Sequence, residues 1–418
     1  MQGRLKVPVN KSAQTIIQII AVIYLTVWSV APPLQMDMIF RLAALGLAFL
    51  WFAIEFFSRF EFTRIQIFCA IFMVGVAIIA YVQNGAGAVM GEIAVYMMVL
   101  SYFINIYSTD KWQNYRLVVP IAIGLLIFFN YRTASELSRD ATIARLLVRD
   151  SEELYGYMKR GVGGYGLVYP QVLIAPVVYG WTLKSFVQNK LYFVLGVCWI
   201  VSFWALILNA GYSIAIISSA VSFIILLFYR RRGILPAFII TVALVVLIFV
   251  LLVYAEGFRN IVLRIFDGTK VVRKIEDLLS TAEGETADSF ATRVTRYWVS
   301  IRSSLQYPII GGILFGASTG GHSEILDTFS RYGLWGGVPT LIMIFHTPIS
   351  FKVEYNSRTI TAVANAHTIA IALVALFDPF VFQVYFPLLV LCPVMYSDIL
   401  KWAGEKHEDP LDSQSGAA

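Results

Sequence analysis

Apolar stretches of about 20 residues recur along almost the whole chain, and they limit most strongly what it can fold into. An α-helix of that length crosses the ~30 Å hydrocarbon core of a bilayer. Twelve stretches meet this criterion, at residues 12–30, 38–57, 64–82, 88–108, 116–131, 166–186, 190–209, 210–229, 234–254, 334–351, 360–381 and 383–402. The sequence therefore predicts an all-α, polytopic integral membrane protein with about 12 transmembrane helices, forming a single membrane domain over 1–418.

Composition supports this class and excludes several others. Of the 418 residues 58% are hydrophobic and 14% are charged, and the mean hydropathy is +0.73. Such a chain is not a disordered protein, a coiled coil or a solvated nucleic-acid binder, so no nucleic acid is expected as a partner. The cysteines Cys69, Cys198 and Cys392 lie inside apolar stretches and lack the spacing of a metal site, so no metal is expected.

Lysine and arginine in the short loops predict the orientation, because these residues resist translocation. With the N-terminus inside, 16 of the 32 basic residues are cytoplasmic, and the short outer connections 31–37, 83–87 and 209–211 contain none. Both termini are then cytoplasmic, including the polar tail 403–418. Two large loops, 132–165 and 255–333, lie outside and hold 15 of the other basic residues. Only residues 209–211 separate the seventh and eighth predicted spans, so this pair is either a tight hairpin or one long broken helix.

Residues 289–305, in the second large loop, predict an amphipathic helix. Its apolar residues recur at helical spacing, and Pro308 follows the end of the run. The opposite face carries Arg293, Arg296 and Ser300. Two guanidinium groups on one side of a helix near the membrane surface suit a phosphate group. The alternative is an interfacial helix whose arginines meet lipid headgroups.

A glycine-rich run in the same loop leads to His322. Ser323, which follows it, is predicted to cap the next short helix, which is expected to stop at Gly333. His322 is the only histidine of the predicted outer segments. Because imidazole titrates near neutrality, His322 is a candidate general base for a hydroxyl nucleophile. The alternative is an ordinary polar loop residue.

The first large loop carries a second candidate anion site. Arg145, Arg149 and Arg160 precede Gly164 and Tyr165, which lie at the mouth of the sixth predicted span. Backbone amides beside glycine can approach an anion closely, so basic residues next to a glycine run suit a phosphate. The alternative is a flexible segment through which the chain re-enters the membrane.

Ionisable residues are sparse within the predicted spans, and those present lie near span ends. Arg41 and Glu92 lie near outer ends, and Glu55 and Asp378 also lie close to span ends. An ion-coupled transporter usually places such groups near the bilayer midplane. The positions found here therefore favour a function at the outer face over ion-coupled transport. Arg41 either pairs with Glu92 or lines a groove for lipid headgroups.

A longer series of residues in the second large loop follows a recognisable order. It runs Arg293…Trp298…Pro308-Ile-Ile-Gly311-Gly312…Gly321-His322-Ser323-Glu324-x-x-Asp327…Arg331-Tyr332-Gly333-Leu334-x-Gly336. This order, together with about twelve spans and two large periplasmic loops, resembles the O-antigen polymerase and ligase superfamily. These are bacterial inner-membrane glycosyltransferases with a GT-C-like fold that use undecaprenyl-diphosphate-linked glycans. The run from Gly163 to Gly166 and the His322-Ser323-Glu324 triplet favour the polymerase branch.

The resemblance implies a metal-independent transfer of sugar, without a cofactor, at the periplasmic face of the inner membrane. It implies that His322 takes the proton of an acceptor hydroxyl and that Arg293 stabilises the diphosphate leaving group. The residues expected to bind the diphosphate or the substrate are Arg296, Arg145, Arg149, Arg160, Gly164, Tyr165, Ser323 and Arg41.

The resemblance also names partners and leaves alternatives. The expected partners are an undecaprenyl-diphosphate-linked oligosaccharide, membrane lipids and a chain-length regulator. An O-antigen ligase, which transfers finished polymer to lipid A-core, is similar around the histidine and remains an alternative. A flippase or transporter of the same lipid-linked glycan is an alternative of another class, although it would need a polar path through the bilayer.

Overall fold

The computed structural model is mainly helical over the residues it describes. These are 11–59, 112–140, 152–232, 254–265, 288–355, 357–380 and 384–403, with a few isolated positions between them. The predicted spans 64–82 and 88–108, most of 234–254 and the tail beyond Ala403 lie outside this set. No β-strand occurs within the described residues.

Thirteen α-helices are described. In chain order they are α1 (Lys11–Val30), α2 (Pro32–Met36), α3 (Met38–Arg59), α4 (Val118–Arg139), α5 (Glu152–Lys159), α6 (Tyr165–Gln188), α7 (Lys190–Ala210), α8 (Ser213–Arg232), α9 (Glu256–Ile265), α10 (Asp288–Gln306), α11 (Glu324–Glu354), α12 (Arg358–Phe377) and α13 (Cys392–Ala403). A short 3-10 turn, Ile313–Phe315, precedes α11, and a π-helical turn, Pro387–Leu391, leads into α13.

Six of these helices are long and apolar enough to cross a membrane: α3, α4, α6, α7, α11 and α12. Shorter apolar helices occupy Gln14–Val30 and Ser213–Phe228, within α1 and α8. The protein is therefore an all-α chain with several helices suited to a membrane. Helices α7 and α8 are two separate helices. Gly211 adopts a left-handed conformation with φ 67° and ends α7.

Helix α6 lies at the centre of the described helices. Its N-terminus contains the glycine-tyrosine motif, residues 163–169. It packs against α7, α8, α12 and α13, and most of its residues are buried. A helix that is apolar on every side is typical of such a central position. Gly164 is its N-cap residue, so Tyr165 begins the buried helix rather than lying on a free loop.

Buried and half-buried polar pairs tie neighbouring segments together. The amides of Asn130 on α4 and Gln171 on α6 bond each other reciprocally, at 2.8 and 2.7 Å. Arg116 and Asp398 form an ion pair with 2.8 Å between Nε and Oδ1. The amide of Gln18 donates to the carboxylate of Glu55 at 2.7 Å. Polar contacts between apolar helices fix their relative position, because an unpaired polar group would be costly there.

Helix α4 is longer than its predicted span, which ended at residue 131. It continues to Arg139, and ion pairs between side chains one turn apart on its surface stabilise this extension. Glu136 Oε1 lies 3.5 Å from Arg132 Nη2 and 4.0 Å from Arg139 Nη1. The beginning of the first large loop is therefore helical.

Helix α12 ends at Phe377, whereas the sequence predicted a span to residue 381. Asp378 has an extended backbone, with φ −142° and ψ 148°, and the next residue is Pro379. A residue before proline is disfavoured in the helical region, so the helix ends where the proline requires it. This early end leaves Asp378 at the helix terminus.

Helix α11 is broken at Gly333, where the sequence predicted one helix to stop and a span to begin. Gly333 has φ 59° and ψ −154°, and a Cβ atom added there would lie 2.5 Å from the carbonyl of Ile309. The amides freed by the break are bonded by the preceding turn: Leu334 N donates to Pro308 O at 2.8 Å, and Trp335 N donates to Ile309 O at 3.0 Å. The two halves therefore meet at a capped break.

Candidate functional site

One carboxylate holds α10 against the start of α11. Asp327 Oδ1 accepts from the hydroxyl of Ser300 at 2.5 Å, and its Oδ2 accepts from the backbone N–H of Ser323 at 3.0 Å. The hydroxyl of Ser323 accepts from Leu326 N at 3.2 Å, so Ser323 is the N-cap that the sequence predicted. Ser323 is fully buried and also donates to the carbonyl of Ala375 at 3.0 Å. Its hydroxyl is therefore already bonded within the protein.

The glycine-rich loop passes directly over the backbone of α10. Gly320 N donates to the hydroxyl of Ser300 at 2.8 Å. A Cβ atom at Gly320 would lie 2.1 Å from the carbonyl oxygen of Arg296, a distance that no side chain can occupy. Glycine is required here because the two backbones approach so closely. The loop that carries His322 is thus fixed against α10.

His322 and Arg296 are in direct contact. Arg296 Nη1 lies 2.6 Å from His322 Nε2. A guanidinium has only donors, so Nε2 accepts, and the proton of the neutral ring is on Nδ1. The pKa of His322 is lowered from its usual range, first by partial burial and then by the charges of Arg296 and Arg293, with Asp327 acting in the opposite direction. The predicted base and the two predicted phosphate ligands are therefore brought together.

A reaction that uses His322 as its base should keep its rate at pH values below about 6.5, the ordinary pKa of histidine. Only the neutral imidazole accepts a proton, and a lowered pKa keeps it neutral at lower pH. The acidic limb of a kcat/KM profile should therefore lie below about pH 6.5 and move upward in Arg296→Gln, which removes one cause of the shift. Arg302→Gln, an exposed arginine of the same helix, should leave the limb in place. A wild-type limb above pH 7 would contradict this expectation.

Asp378 joins the glycine-tyrosine motif of the first large loop to the His322 loop. Its Oδ1 accepts from the hydroxyl of Tyr165 at 2.9 Å, and its Oδ2 accepts from Tyr169 at 2.5 Å. Its backbone carbonyl accepts from Glu324 N, two residues after His322, at 3.2 Å. Motifs far apart in the sequence thus meet at one carboxylate. The only sequence signal for this role is an acid placed between the end of a span and a proline.

The start of α11 is also fixed by Glu324. Its carboxylate accepts from the backbone N–H of Phe380 at 2.9 Å and from the hydroxyl of Tyr385 at 3.1 Å. The residue follows Ser323 in the His322-Ser323-Glu324 triplet. In the structure it ties the first turn of α11 to the segment after α12.

Two other predicted ligands make contacts within their own neighbourhoods. The guanidinium of Arg160 lies 4.5 Å from the ring centroid of Tyr157, and its Nε donates to Gly156 O at 3.3 Å. Arg41 Nε donates to the carbonyl of Gln35. These contacts do not link either arginine to His322. Arg145, Arg149 and Glu92, like Cys69, lie outside the described residues.

The chain matches no model of a known protein family, no curated protein and no solved structure. The function is therefore argued from the site itself. Within the described ranges no group of three or more His, Cys, Asp or Glu side chains is placed to hold a metal ion. The chemistry available at His322 is that of an imidazole beside two arginines.

Helix α10 occupies the position predicted for the amphipathic helix 289–305. Its polar face, with Arg296 and Ser300, is turned toward the His322 loop and α11. Its apolar face points away from the described helices, since Trp298 is 63% exposed and Leu305 is 76% exposed. A soluble amphipathic helix would bury this face. The arrangement is typical of a helix that lies in a membrane interface.

We expect the apolar face of α10 to be inserted into lipid. A cysteine at Leu305, labelled with a fluorophore in a background without the native cysteines, should be quenched by brominated lipid. The same label at Ser318, an exposed polar position of the glycine-rich loop, should be quenched by aqueous iodide, and Leu305→Asp should weaken insertion by about 2 kcal/mol. Strong quenching by iodide at both positions would show that this face is exposed to water.

Proposed function

We propose that this protein is an O-antigen polymerase of the bacterial inner membrane. It would join undecaprenyl-diphosphate-linked oligosaccharide repeat units at the periplasmic face, within a GT-C-like fold of about twelve spans. The observation that carries the proposal is the 2.6 Å contact between His322 Nε2 and Arg296 Nη1, beside the charge of Arg293. A base next to two cations suits a reaction in which a hydroxyl loses a proton and a diphosphate departs.

In the proposed reaction a sugar hydroxyl of the acceptor replaces the diphosphate of the donor. The acceptor hydroxyl gives its proton to the imidazole of His322 while its oxygen bonds to the anomeric carbon of the donor sugar. The bond between that carbon and the phosphate oxygen breaks, and its electron pair leaves with undecaprenyl diphosphate. Arg293 and Arg296 neutralise the negative charge that develops on the leaving group, because guanidinium donates in a bidentate geometry suited to phosphate.

The network at Asp378 supports a site built from both large loops. Tyr165 and Tyr169 stack with their ring centroids 4.4 Å apart, and both donate to this carboxylate. The mouth of α6 is therefore held next to the start of α11, which carries the His322 loop. In the proposal Arg145, Arg149 and Arg160 of the first large loop contribute further charge for the diphosphate, and the chain-length regulator and membrane lipids are partners.

Deletion of the gene in the native strain, followed by a gel of lipopolysaccharide, tests the proposal. The expected result is core carrying a single repeat unit, with the ladder lost and then restored by the wild-type gene but not by His322→Ala. Core without any repeat, together with accumulated lipid-linked polymer, would identify a ligase instead. An unchanged ladder would contradict both activities.

Purified protein in liposomes distinguishes the enzyme from a transporter. Labelled undecaprenyl-diphosphate-linked repeat units should become longer when the protein is present. Movement of the labelled lipid to the other leaflet without lengthening would contradict the proposal and identify a flippase. His322→Ala is the matched control, since it removes the base while leaving the apolar helices unchanged.

A further inference from the structure

The basic atom of His322 is already bonded in this arrangement. The ring carries its proton on Nδ1, so Nε2 holds the only basic lone pair, and that lone pair accepts from Arg296 Nη1 at 2.6 Å. A lone pair engaged in this way cannot also accept the proton of a sugar hydroxyl. Proton transfer to His322 therefore requires Arg296 to leave Nε2 first.

We propose that Arg296 is a positioning residue that holds Nε2 of His322 until its guanidinium transfers to a phosphate group of the lipid-linked donor. The inference rests on the proposed function and adds to it an order of events. Donor binding exposes the base, and only then can an acceptor hydroxyl be deprotonated. A leaving group is thus in place before the nucleophile is activated.

The chemistry of the two acceptors favours this transfer. A phosphate accepts from arginine in a bidentate, charge-assisted geometry, and such bonds are about twice as strong as those between neutral groups. The imidazole of His322 offers a single neutral acceptor. Arg293 adds to the preference, because its positive charge acts on the same site and attracts an anion.

The structure allows the side chain of Arg296 to move while its backbone stays in place. The side chain is exposed, although its guanidinium is in contact with His322. The backbone of the same residue is covered by Gly320, whose amide is bonded to Ser300 at 2.8 Å. Neither α10 nor the loop has to shift for the guanidinium to change partners.

Reaction with diethyl pyrocarbonate tests the proposal, because the reagent modifies only an unprotonated, accessible imidazole nitrogen. The protein in nanodiscs is treated at pH 8, where the ring is neutral in every variant, and modification of His322 is followed by mass spectrometry. Farnesyl diphosphate should accelerate modification by about tenfold or more, as expected for release of a hydrogen bond to a charged group. Farnesol, which lacks the diphosphate, should not.

Two variants complete the experiment. In Arg296→Gln the modification of His322 should be fast from the start, with no further acceleration by farnesyl diphosphate. Arg302→Gln, which removes the same charge from another exposed position of α10, should behave as the wild type. Protection of His322 by farnesyl diphosphate, an unchanged rate, or a slow rate in Arg296→Gln would overturn the proposal. Since no glycan transfer is measured, these outcomes are independent of the lipopolysaccharide result that tests the polymerase function.

Discussion

Replacing His322 with alanine is expected to slow chain growth by about 10²–10⁴-fold, the range typical for loss of a general base. The imidazole lies on a loop, is only partly buried, and contacts an exposed arginine. Its removal therefore leaves no buried group without a partner, and the protein should still fold and insert. The measurement is the lengthening of labelled lipid-linked repeat units in liposomes, with His407→Ala of the predicted tail as the control.

Arg293→Ala tests the second half of the same reaction. Loss of one donor to a developing anion typically lowers the rate by about 10²–10³-fold, so this variant should also stop visible chain growth. Arg302→Ala is the matched control, because it removes an arginine from another exposed position of α10. Long glycan made by a well-expressed His322→Ala, Arg293→Ala double variant would show that these residues do not carry the reaction.

Gly320→Ala is expected to reduce the rate about 10²-fold although every proposed catalytic side chain remains. The added methyl group would lie 2.1 Å from the carbonyl of Arg296, so the loop must move away from α10. That movement would displace His322 from its position beside Arg293 and break the bond from Gly320 N to Ser300. The same liposome assay measures the effect.

Gly156→Ala provides the matched control for this substitution. Gly156 lies within α5, and a Cβ atom there meets nothing within 4 Å. Alanine is favoured over glycine inside a helix, so this variant should keep full activity and gain slight stability. Full activity of Gly320→Ala would instead show that the close approach of the loop to α10 is dispensable for the proposed reaction.

Much of the local structure around the site was predictable because local signals determine it. The 3.6-residue recurrence of apolar residues predicted α10, and a serine followed by acids in the next turn predicted the N-cap at Ser323. The apolar stretches likewise predicted helices such as α6 and α7 to within a few residues. Each of these signals lies within a single turn or a single helix.

The contacts between segments were not predictable in the same way. Tyr165 and Tyr169 reach Asp378 across 213 and 209 residues of sequence, and periodicity carries no information about such pairs. The sequence therefore marked Asp378 only as a charge near the end of a span. The contact of Arg160 with the ring of Tyr157 was likewise not predictable, and the role of Arg160 as a phosphate ligand stays a prediction.

The break at Gly333 ties the proposed site to the thickness of the bilayer. An unbroken helix of 31 residues would be about 46 Å long, well beyond a hydrocarbon core of about 30 Å. From Leu334 to Glu354 the second half measures about 31 Å, which is long enough to cross that core. A thicker membrane would draw Gly333, and with it the turn at Ile309 and the His322 loop, toward the acyl chains. We therefore expect acyl-chain length in the host membrane to set the depth of the proposed site.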